Sequence, residues 1–306
     1  MGSGHDHSHG SGRAQDRSRL WIVLLVTSTV AVVELVGAFL SGSLALLADA
    51  GHMFTDTAAI LVALSASYVA TLPATSRRTF GYHRAEILAA LINAVVLLGL
   101  CGYLAYAGVV RLLAPVEVEA SQMLVFAVVG LVANLISMAL LASRRGESLN
   151  MRGAFLEVLG DAVGSAAAIV AGVVIVTTGF DRADSIASLV IAALFLPRAW
   201  ALLRDCVGVL LEAAPPGVDM EVVRQHLVGA DGVTDVHDLH AWSITSGMPA
   251  LSAHVTVTEQ ALRDRGVGQI LDELGECVAS HFGIDHVTFQ VEPERHRDHE
   301  PGEAHR

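Results

Sequence analysis

The chain has 306 residues, of which 53% are hydrophobic and 16% are charged, and this composition is too apolar for an ordinary soluble protein. Its formal net charge of −12 comes mainly from acidic residues after residue 210, and no stretch interleaves basic with aromatic residues, which excludes nucleic-acid binding as the function. The three cysteines, Cys101, Cys206 and Cys277, are isolated, odd in number and mostly in apolar helical stretches, which argues against a disulfide framework or a thiolate metal cluster and favours a role in core packing.

The first 19 residues form a polar head that contains three alternating histidines, His5, His7 and His9. Imidazoles spaced in this way in a flexible segment can capture a metal ion weakly. A purification tag or an ordinary disordered tail explains the same residues, and the sequence leaves these alternatives open.

Six apolar stretches follow, and each is close to the roughly 20 residues that a spanning helix needs. They predict a six-helix transmembrane domain over residues 20–207, and therefore a multi-pass protein of the cell (inner or plasma) membrane in contact with the lipid bilayer. The predicted helices are Leu20–Leu40, Leu44–Ala70, Ala85–Leu113, Ser121–Ala142, Met151–Thr177 and Ser185–Leu203.

The arginines between these stretches predict the orientation of the chain. Nine arginines lie before the first helix or in the loops after helices two and four, whereas the opposite loops carry only Arg111 and Arg182. Because cytoplasmic loops carry the excess of basic residues, both termini are predicted to be cytoplasmic. The nine are Arg13, Arg17, Arg19, Arg77, Arg78, Arg84, Arg144, Arg145 and Arg152.

After Pro215 the sequence changes to the mixed, amphipathic pattern of a soluble domain. Residues 208–292 predict the order αββαβ, which indicates a small α+β domain of ferredoxin-like kind. The segment 293–306 has nothing to bury and is predicted to be disordered. The predicted elements are Asp219–Gly229, Val233–Ile244, Ala250–Thr258, Gln260–Phe282 and His286–Glu292.

Two of the predicted membrane helices carry ionisable side chains at bilayer depth, where one charge costs at least about 2.5–3.5 kcal/mol. His52 and Asp56 are four residues apart and share one helix face, with Asp49 one turn earlier on nearly the same stripe. Glu157 and Asp161 repeat the spacing in the fifth helix. Two facing helices with one such pair each supply four nitrogen and oxygen ligands, the number that tetrahedral Zn²⁺ takes.

Buried polar pairs that only hold helices together are the plainer interpretation. Three carboxylates beside one imidazole carry too much like charge for that interpretation, unless a cation or protons balance them. Small residues that recur every four positions next to these ligands predict a close approach of helices; they are Gly160, Gly164, Ala168 and Gly172.

Three further polar residues, Glu34, Asn93 and Asn134, each stand alone on a predicted helix. Hydrogen bonding between helices is the simplest role for a single polar residue in such a helix. Asn93 and Asp49 are also candidates for residues along an ion pathway.

Four segments of the chain resemble motifs of a known family. The segments 43–56 (SLALLADAGHMFTD), 80–88 (FGYHRAEIL), 157–161 (EVLGD) and 236–243 (VHDLHAWS) are similar to motifs of the cation diffusion facilitator family of metal/proton antiporters, in the same order. The resemblance implies six membrane helices, a cytoplasmic ferredoxin-like domain, a homodimer, and export of Zn²⁺ or a similar ion in exchange for protons. It implies no prosthetic group.

The resemblance carries the transport-site role onto His52, Asp56 and Asp161. Glu157 departs from the pattern, because zinc-selective members usually have His at this position. One more oxygen ligand favours harder ions such as Mn²⁺, Fe²⁺ or Co²⁺, whereas His52 and a four-ligand cage still suit zinc. We therefore expect Zn²⁺ as the main cargo, with Mn²⁺, Fe²⁺, Co²⁺ or Cd²⁺ as alternatives.

The ligands also suggest how transport is coupled. Metal binding requires deprotonated ligands, so cytoplasmic Zn²⁺ is expected to expel protons that return on the opposite side of the membrane. Glu157 is expected to take the proton-carrying role that His would otherwise share.

Accessory metal sites are expected in the C-terminal domain, where the resemblance implies regulatory zinc. His237 and His254 lie on adjacent predicted strands, and Glu292 ends the last strand. Structural or surface roles explain the same histidines. His240 and His286 are possible neighbours, and His83 could join a site between the domains. Metal bound here would stabilise a homodimer by neutralising facing acidic surfaces. His226 and His281 are interpreted as ordinary helix residues.

Two rival functions belong to other classes. A membrane metalloenzyme also places His and carboxylates around zinc, but catalytic zinc keeps an open position beside three protein ligands, whereas four ligands are available here. A metal sensor or channel would read the ion without exchanging protons for it.

Overall fold

The computed structural model describes residues 9–142 and 149–296. The chain divides into two compact units. We call the first, Met1–Leu64 with Ile92–Leu203, the transmembrane unit, and the second, Ser65–Leu91 with Arg204–Arg306, the C-terminal unit. Each unit is described by itself.

Six helices in the described residues are long and apolar enough to cross a membrane, which confirms the predicted number. Four of them, α2 to α5, begin and end within a few residues of the predicted bounds, because no proline or polar run shortens their apolar stretches. Their bounds are α1 His9–Ser41, α2 Leu44–Ala70, α3 Ala85–Leu113, α4 Ala120–Ala142, α5 Leu149–Thr178 and α6 Arg182–Leu210.

The exceptions lie at the ends of α1 and α6. Helix α1 begins at His9, before the predicted start at Leu20, because hydropathy marks where a helix enters the bilayer and not where its backbone becomes helical. Helix α6 likewise continues to Leu210, past the predicted end at Leu203. Of the three histidines of the head, His5 and His7 lie outside the described residues.

The core of the transmembrane unit consists largely of small side chains, which let the helices approach closely. Leu46, Met123 and Ile191 are among the few large side chains that are fully buried there. Many large apolar side chains instead point outward, as at Phe39 and Tyr106, which are 76% and 72% exposed. Large apolar side chains on the outside and small ones inside are the distribution expected of helices that are surrounded by lipid.

The start of α2 is fixed by a side chain from another helix. Asp184, 1% exposed in the first turn of α6, accepts hydrogen bonds from the Ser43 hydroxyl at 2.5 Å and from the amides of Leu44 and Ala45 at 2.7 and 3.0 Å. Arg111 of α3 lies 3.8 Å from the same carboxylate. Asp184 therefore satisfies backbone donors that the first turn of a helix leaves unpaired.

The C-terminal unit contains a three-stranded sheet in the order β1-β2-β3, with β1 antiparallel and β3 parallel to β2. Helices cover the sheet over an apolar core that includes Leu227, Leu251 and Leu274. This arrangement confirms the predicted α+β fold. The bounds are α7 Met220–Val228, β1 Val233–Thr245, β2 Met248–Val257, α8 Glu259–Asp264, α9 Gly266–Phe282 and β3 His286–Pro293.

One prediction for this unit, a single helix over Gln260–Phe282, is wrong. The stretch Gln260–Phe282 forms two helices, α8 and α9, separated at Arg265. Gly266 has a φ of +76°, a left-handed conformation that interrupts a helix and that glycine adopts without steric cost. Of the predicted disordered tail, residues 297–306 lie outside the described part of the chain.

We predict that Asp184→Ala destabilises the transmembrane unit by about 1–3 kcal/mol, because buried amides at the start of α2 lose their acceptor. Thermal unfolding of the detergent-solubilised protein measures the change. The matched control is Asp181→Ala, which removes the same kind of side chain just before α6 begins. Equal stability of the two variants would contradict the capping role.

Candidate metal centre

Helix α2 presents the first two predicted ligands on one face. His52 and Asp56 are one turn apart, and the His52 Nε2 atom lies 3.2 Å from the Asp56 Oδ2 atom. His52 is only 1% exposed, whereas Asp56 is partly exposed. The i,i+4 spacing therefore places both side chains at one point of the helix, as the sequence predicts.

Helix α5 adds the other predicted pair. A ligand atom of Glu157 lies within 4.8 Å of ligand atoms of both His52 and Asp56, so these three residues form one group able to hold a metal ion. Asp161, one turn further along α5 and 3% exposed, lies outside this group but lines the same cavity as Asp56 and Glu157. The structure thus brings three predicted ligands together, and the fourth, Asp161, lines the cavity next to them.

Helix α6 contributes two residues that the sequence pattern does not reveal. The Phe195 ring stacks on the His52 imidazole, with ring centroids 3.6 Å apart and planes at 26°. The Arg198 guanidinium lies 2.5 Å from a carboxylate oxygen of Glu157. A charge at bilayer depth is costly, and that cost singles out the carboxylates in the sequence. The same reasoning applies to Arg198, so it could have identified this arginine as well.

A cavity of about 720 Å³ opens onto Asp56, Glu157 and Asp161. It is lined by residues from α1, α2, α3, α5 and α6, among them Trp21, Thr27 and Arg198. Asn93, the candidate pathway residue of α3, also lines it. Asp49 does not: it is fully buried and takes part in a separate hydrogen-bond network.

Several buried polar atoms around the cavity have no hydrogen-bond partner in the described structure. They are His52 Nδ1, Asp56 Oδ2, Glu157 Oε1 and Asp161 Oδ1. A buried polar atom without a partner costs about 1–3 kcal/mol, so such atoms rarely collect at one place without a reason. Nitrogen and oxygen donors in this arrangement fit a divalent cation, which would satisfy several of them at once.

A second polar network lies among four helices. The Ser165 hydroxyl of α5 donates to Asp49 of α2 at 2.8 Å and lies 3.3 Å from Glu34 of α1, while the Asn134 amide of α4 donates to Ser165 at 3.5 Å. All four residues are fully buried. Glu34 and Asn134 therefore hydrogen-bond between helices, as the sequence suggests, and Asp49 joins them.

Glycines allow this network to form. A Cβ atom at Gly130 would overlap the Glu34 carboxylate, and one at Gly164 would overlap the Asp49 carboxylate. A Cβ at Gly172 would lie 2.9 Å from Leu124 of α4. The predicted stripe of small residues therefore brings α5 close to its neighbours at Gly164 and Gly172. At Gly160, in contrast, an added Cβ atom would meet nothing within 4 Å.

The sheet of the C-terminal unit carries another group able to hold a metal ion, formed by His237, His254 and Glu292. His237 and His254 are paired across β1 and β2, with ring centroids 5.3 Å apart. The His254 Nδ1 atom lies 3.0 Å from Glu292, a β3 residue that is 2% exposed. The structure therefore brings together the three residues that the sequence nominates first.

The remaining predicted candidates lie apart from this group. His240 pairs with Asp238 at 3.0 Å, and His286 is exposed at the start of β3. His83 lies in the turn before α3. His9 is the first residue of α1, and its side chain lies outside the described part of the structure.

Two family models match the chain. The model described as the cation efflux transmembrane domain matches residues 20–211. The ZT_dimer model, described as the cytoplasmic domain of cation efflux proteins, matches residues 215–294. Together they cover most of the chain.

Curated relatives are similar over nearly the whole length. The metal cation efflux system protein CzcD of Cupriavidus metallidurans is 44% identical over 95% of this chain and 90% of its own length. Zinc transporter ZitB of Escherichia coli is 41% identical over 94% and 92%. A cadmium, cobalt and zinc/H⁺-K⁺ antiporter of Bacillus subtilis is 38% identical over 96% and 93%.

We predict that Gly164→Ala destabilises the transmembrane unit by about 1–3 kcal/mol, because the added methyl group must displace the Asp49 carboxylate from the Ser165 hydroxyl. Gly160→Ala, one turn earlier on the same helix, serves as the control. It is expected to leave stability unchanged or to raise it by up to about 1 kcal/mol, since alanine favours the helix and meets open space.

Thermal unfolding in detergent compares the two variants. A similar change in both would show that helix propensity, and not contact with Asp49, decides the effect of a methyl group on this face of α5.

Proposed function

This chain belongs to the cation efflux family, and from that premise we propose that it exports Zn²⁺ from the cytoplasm in exchange for protons. It is a multi-pass membrane protein that exports divalent metal cations, and its relatives are named as transporters and not as enzymes. Our proposal adds zinc as the main cargo, proton exchange, cytoplasmic termini, and the transport site of His52, Asp56, Glu157 and Asp161.

The observation that carries this proposal is the meeting of ligands from two membrane helices at one cavity. His52, Asp56 and Glu157 offer ligand atoms within 4.8 Å of one another, and Asp161 lines the cavity beside them. A metal ion that approaches through the cavity would exchange water for these donors. Small shifts of α2 against α5 could then tighten or open the ligand set.

The donor set supports zinc without requiring it. Four protein ligands suit tetrahedral Zn²⁺, and one of them, His52, is an imidazole. Three carboxylates make the site harder than one rich in imidazole or thiolate, which leaves Mn²⁺, Fe²⁺, Co²⁺ and Cd²⁺ as alternative cargoes. Zinc is named for two of the relatives, one of them together with cadmium and cobalt.

Proton exchange follows from the carboxylates. A carboxylate must lose its proton to bind metal, so Asp56 and Asp161 can release protons as Zn²⁺ enters and take up protons as it leaves. One relative is named as an antiporter that uses H⁺. Protons and the metal ion thus compete for the same side chains.

Arg198 changes the role expected of Glu157. The sequence alone suggests that Glu157 carries a proton, but the guanidinium 2.5 Å away balances the charge of a carboxylate by itself. We infer that Glu157 alternates between Arg198 and the metal ion. Arg198 then helps to release the metal, because its return to Glu157 competes with the ion.

The sheet group of His237, His254 and Glu292 is part of the same proposal as a regulatory zinc site. The match to the ZT_dimer model supports a homodimer. Zinc bound near a surface with excess acidic charge would reduce the repulsion between two copies.

We predict that Zn²⁺ drives proton flux in proteoliposomes, and that His52→Ala and Asp161→Asn each lower the flux by at least about tenfold, because each removes a metal ligand. Thr27→Val is the control: it changes a residue that lines the same cavity but whose hydroxyl bonds to the backbone of its own helix.

The same assay ranks Zn²⁺, Cd²⁺, Mn²⁺, Fe²⁺ and Co²⁺, and Glu157→His should move the ranking further toward zinc. Faster transport of Mn²⁺ or Fe²⁺ than of Zn²⁺ by the native protein would contradict zinc as the main cargo. Metal transport without proton flux would contradict the exchange.

We predict that Arg198→Gln increases the number of protons released per Zn²⁺ bound by up to about one, because a proton must then balance Glu157 until the metal arrives. Calorimetry in buffers of different ionisation enthalpy counts these protons. Arg204→Gln, another arginine of α6, should leave the number unchanged. An unchanged number in Arg198→Gln would rule out the exchange of Arg198 for metal at Glu157.

A further inference from the structure

Helices α7 and α9 bring three potential metal ligands together on the C-terminal unit. A nitrogen of His226, the sulfur of Cys277 and a nitrogen of His281 all lie within 4.8 Å of one another. None of these residues belongs to the sheet group or to the membrane cavity. The sequence indicates ordinary helix residues at both positions, because nothing in the spacing of α7 relative to α9 predicts this contact.

The local sequence explains two of the three positions. Cys277 and His281 are four residues apart on α9, so they lie one above the other on the same helix face. His226 reaches them from the last turn of α7. Its ring centroid lies 4.8 Å from that of His281 and 5.2 Å from that of Phe282, which meets it edge-on. The aromatic contacts hold the His226 ring beside the α9 pair.

The hydrogen bond of His281 favours metal binding. Its Nδ1 atom lies 2.9 Å from the backbone carbonyl of Cys277 and 3.1 Å from the Ser280 hydroxyl, which itself donates to the Glu276 carbonyl at 2.6 Å. Because the Cys277 carbonyl can only accept, these contacts favour the tautomer that has its proton on Nδ1 and its lone pair on Nε2. Histidines that bind metals usually donate their other ring N–H to a carbonyl or a carboxylate in this way, which fixes the ring and its tautomer.

The donor set defines which ions fit. Two imidazoles and one thiolate are soft or borderline ligands, and the described residues of the other two groups offer only nitrogen and oxygen. We propose that His226, Cys277 and His281 form a separate metal site for a thiophilic divalent cation such as Zn²⁺, Cd²⁺ or Co²⁺, with a water molecule as fourth ligand.

Such a site would have two consequences. It would join the end of α7 to the last turns of α9, which stabilises the C-terminal unit when the ion is present. It would also prefer Cd²⁺ more strongly than the sheet group does, because the sheet group has a carboxylate where this site has a thiolate. The C-terminal unit could then respond differently to soft and to harder ions.

The test uses Co²⁺ and the purified full-length protein in detergent, because a cobalt–thiolate bond produces a charge-transfer absorption band that nitrogen and oxygen ligands do not give. We expect a band that rises as Co²⁺ is added and then saturates. Cys277→Ser should abolish it, and His226→Gln should weaken the affinity read from it by at least about tenfold, with circular dichroism unchanged.

Two variants serve as controls. His254→Ala removes a ligand of the sheet group and Cys206→Ser removes another cysteine, and both should keep the band at full intensity. The absence of a band in the native protein, or its persistence in Cys277→Ser, would overturn the proposal.

A second measurement avoids substitutions that could disturb folding. In the native protein, saturating Zn²⁺ should slow alkylation of Cys277 by a maleimide at least about tenfold, followed by mass spectrometry of the Cys277 peptide. An unchanged alkylation rate would equally overturn the site.

Discussion

The transmembrane unit depends on balancing charge inside an apolar structure. An isolated ion is expensive to bury, yet this unit places carboxylates of α2 and α5 among helices whose outer surfaces suit lipid. Fixed protein groups supply part of the balance: Arg198 pairs with Glu157, and Ser165 donates to Asp49. The remaining polar atoms around the cavity need an exchangeable partner, and protons and a divalent cation can both take that place.

Helix α6 connects the fixed part of this arrangement with the exchangeable part. Asp184, in the first turn of α6, binds the start of α2. About three turns later on α6, the Phe195 ring stacks on His52, which lies about two turns from the start of α2. The next turn of α6 places Arg198 against Glu157 of α5. A movement of α6 would therefore change the ligand distances on two helices at once, which gives the proposed alternation between Arg198 and metal a structural basis.

The sequence predicts what depends on local pattern and the cost of burial. Hydropathy locates the six helices, and the i,i+4 spacing of His52 with Asp56 places that pair correctly on one helix face. It does not reveal which face of one helix meets another, so the contacts of Arg198 with Glu157 and of His226 with Cys277 are visible only in the structure. The break at Arg265 was missed because a single glycine inside a helical pattern is often tolerated.

The central claim is that zinc binds in the membrane to one imidazole and several carboxylates. X-ray absorption spectroscopy of Zn²⁺ on the double variant His254→Ala/Cys277→Ser, loaded with one ion per chain, tests it directly. We expect a four-coordinate shell with one imidazole, oxygen ligands otherwise and no sulfur. Two or more imidazoles, or any sulfur, would contradict it.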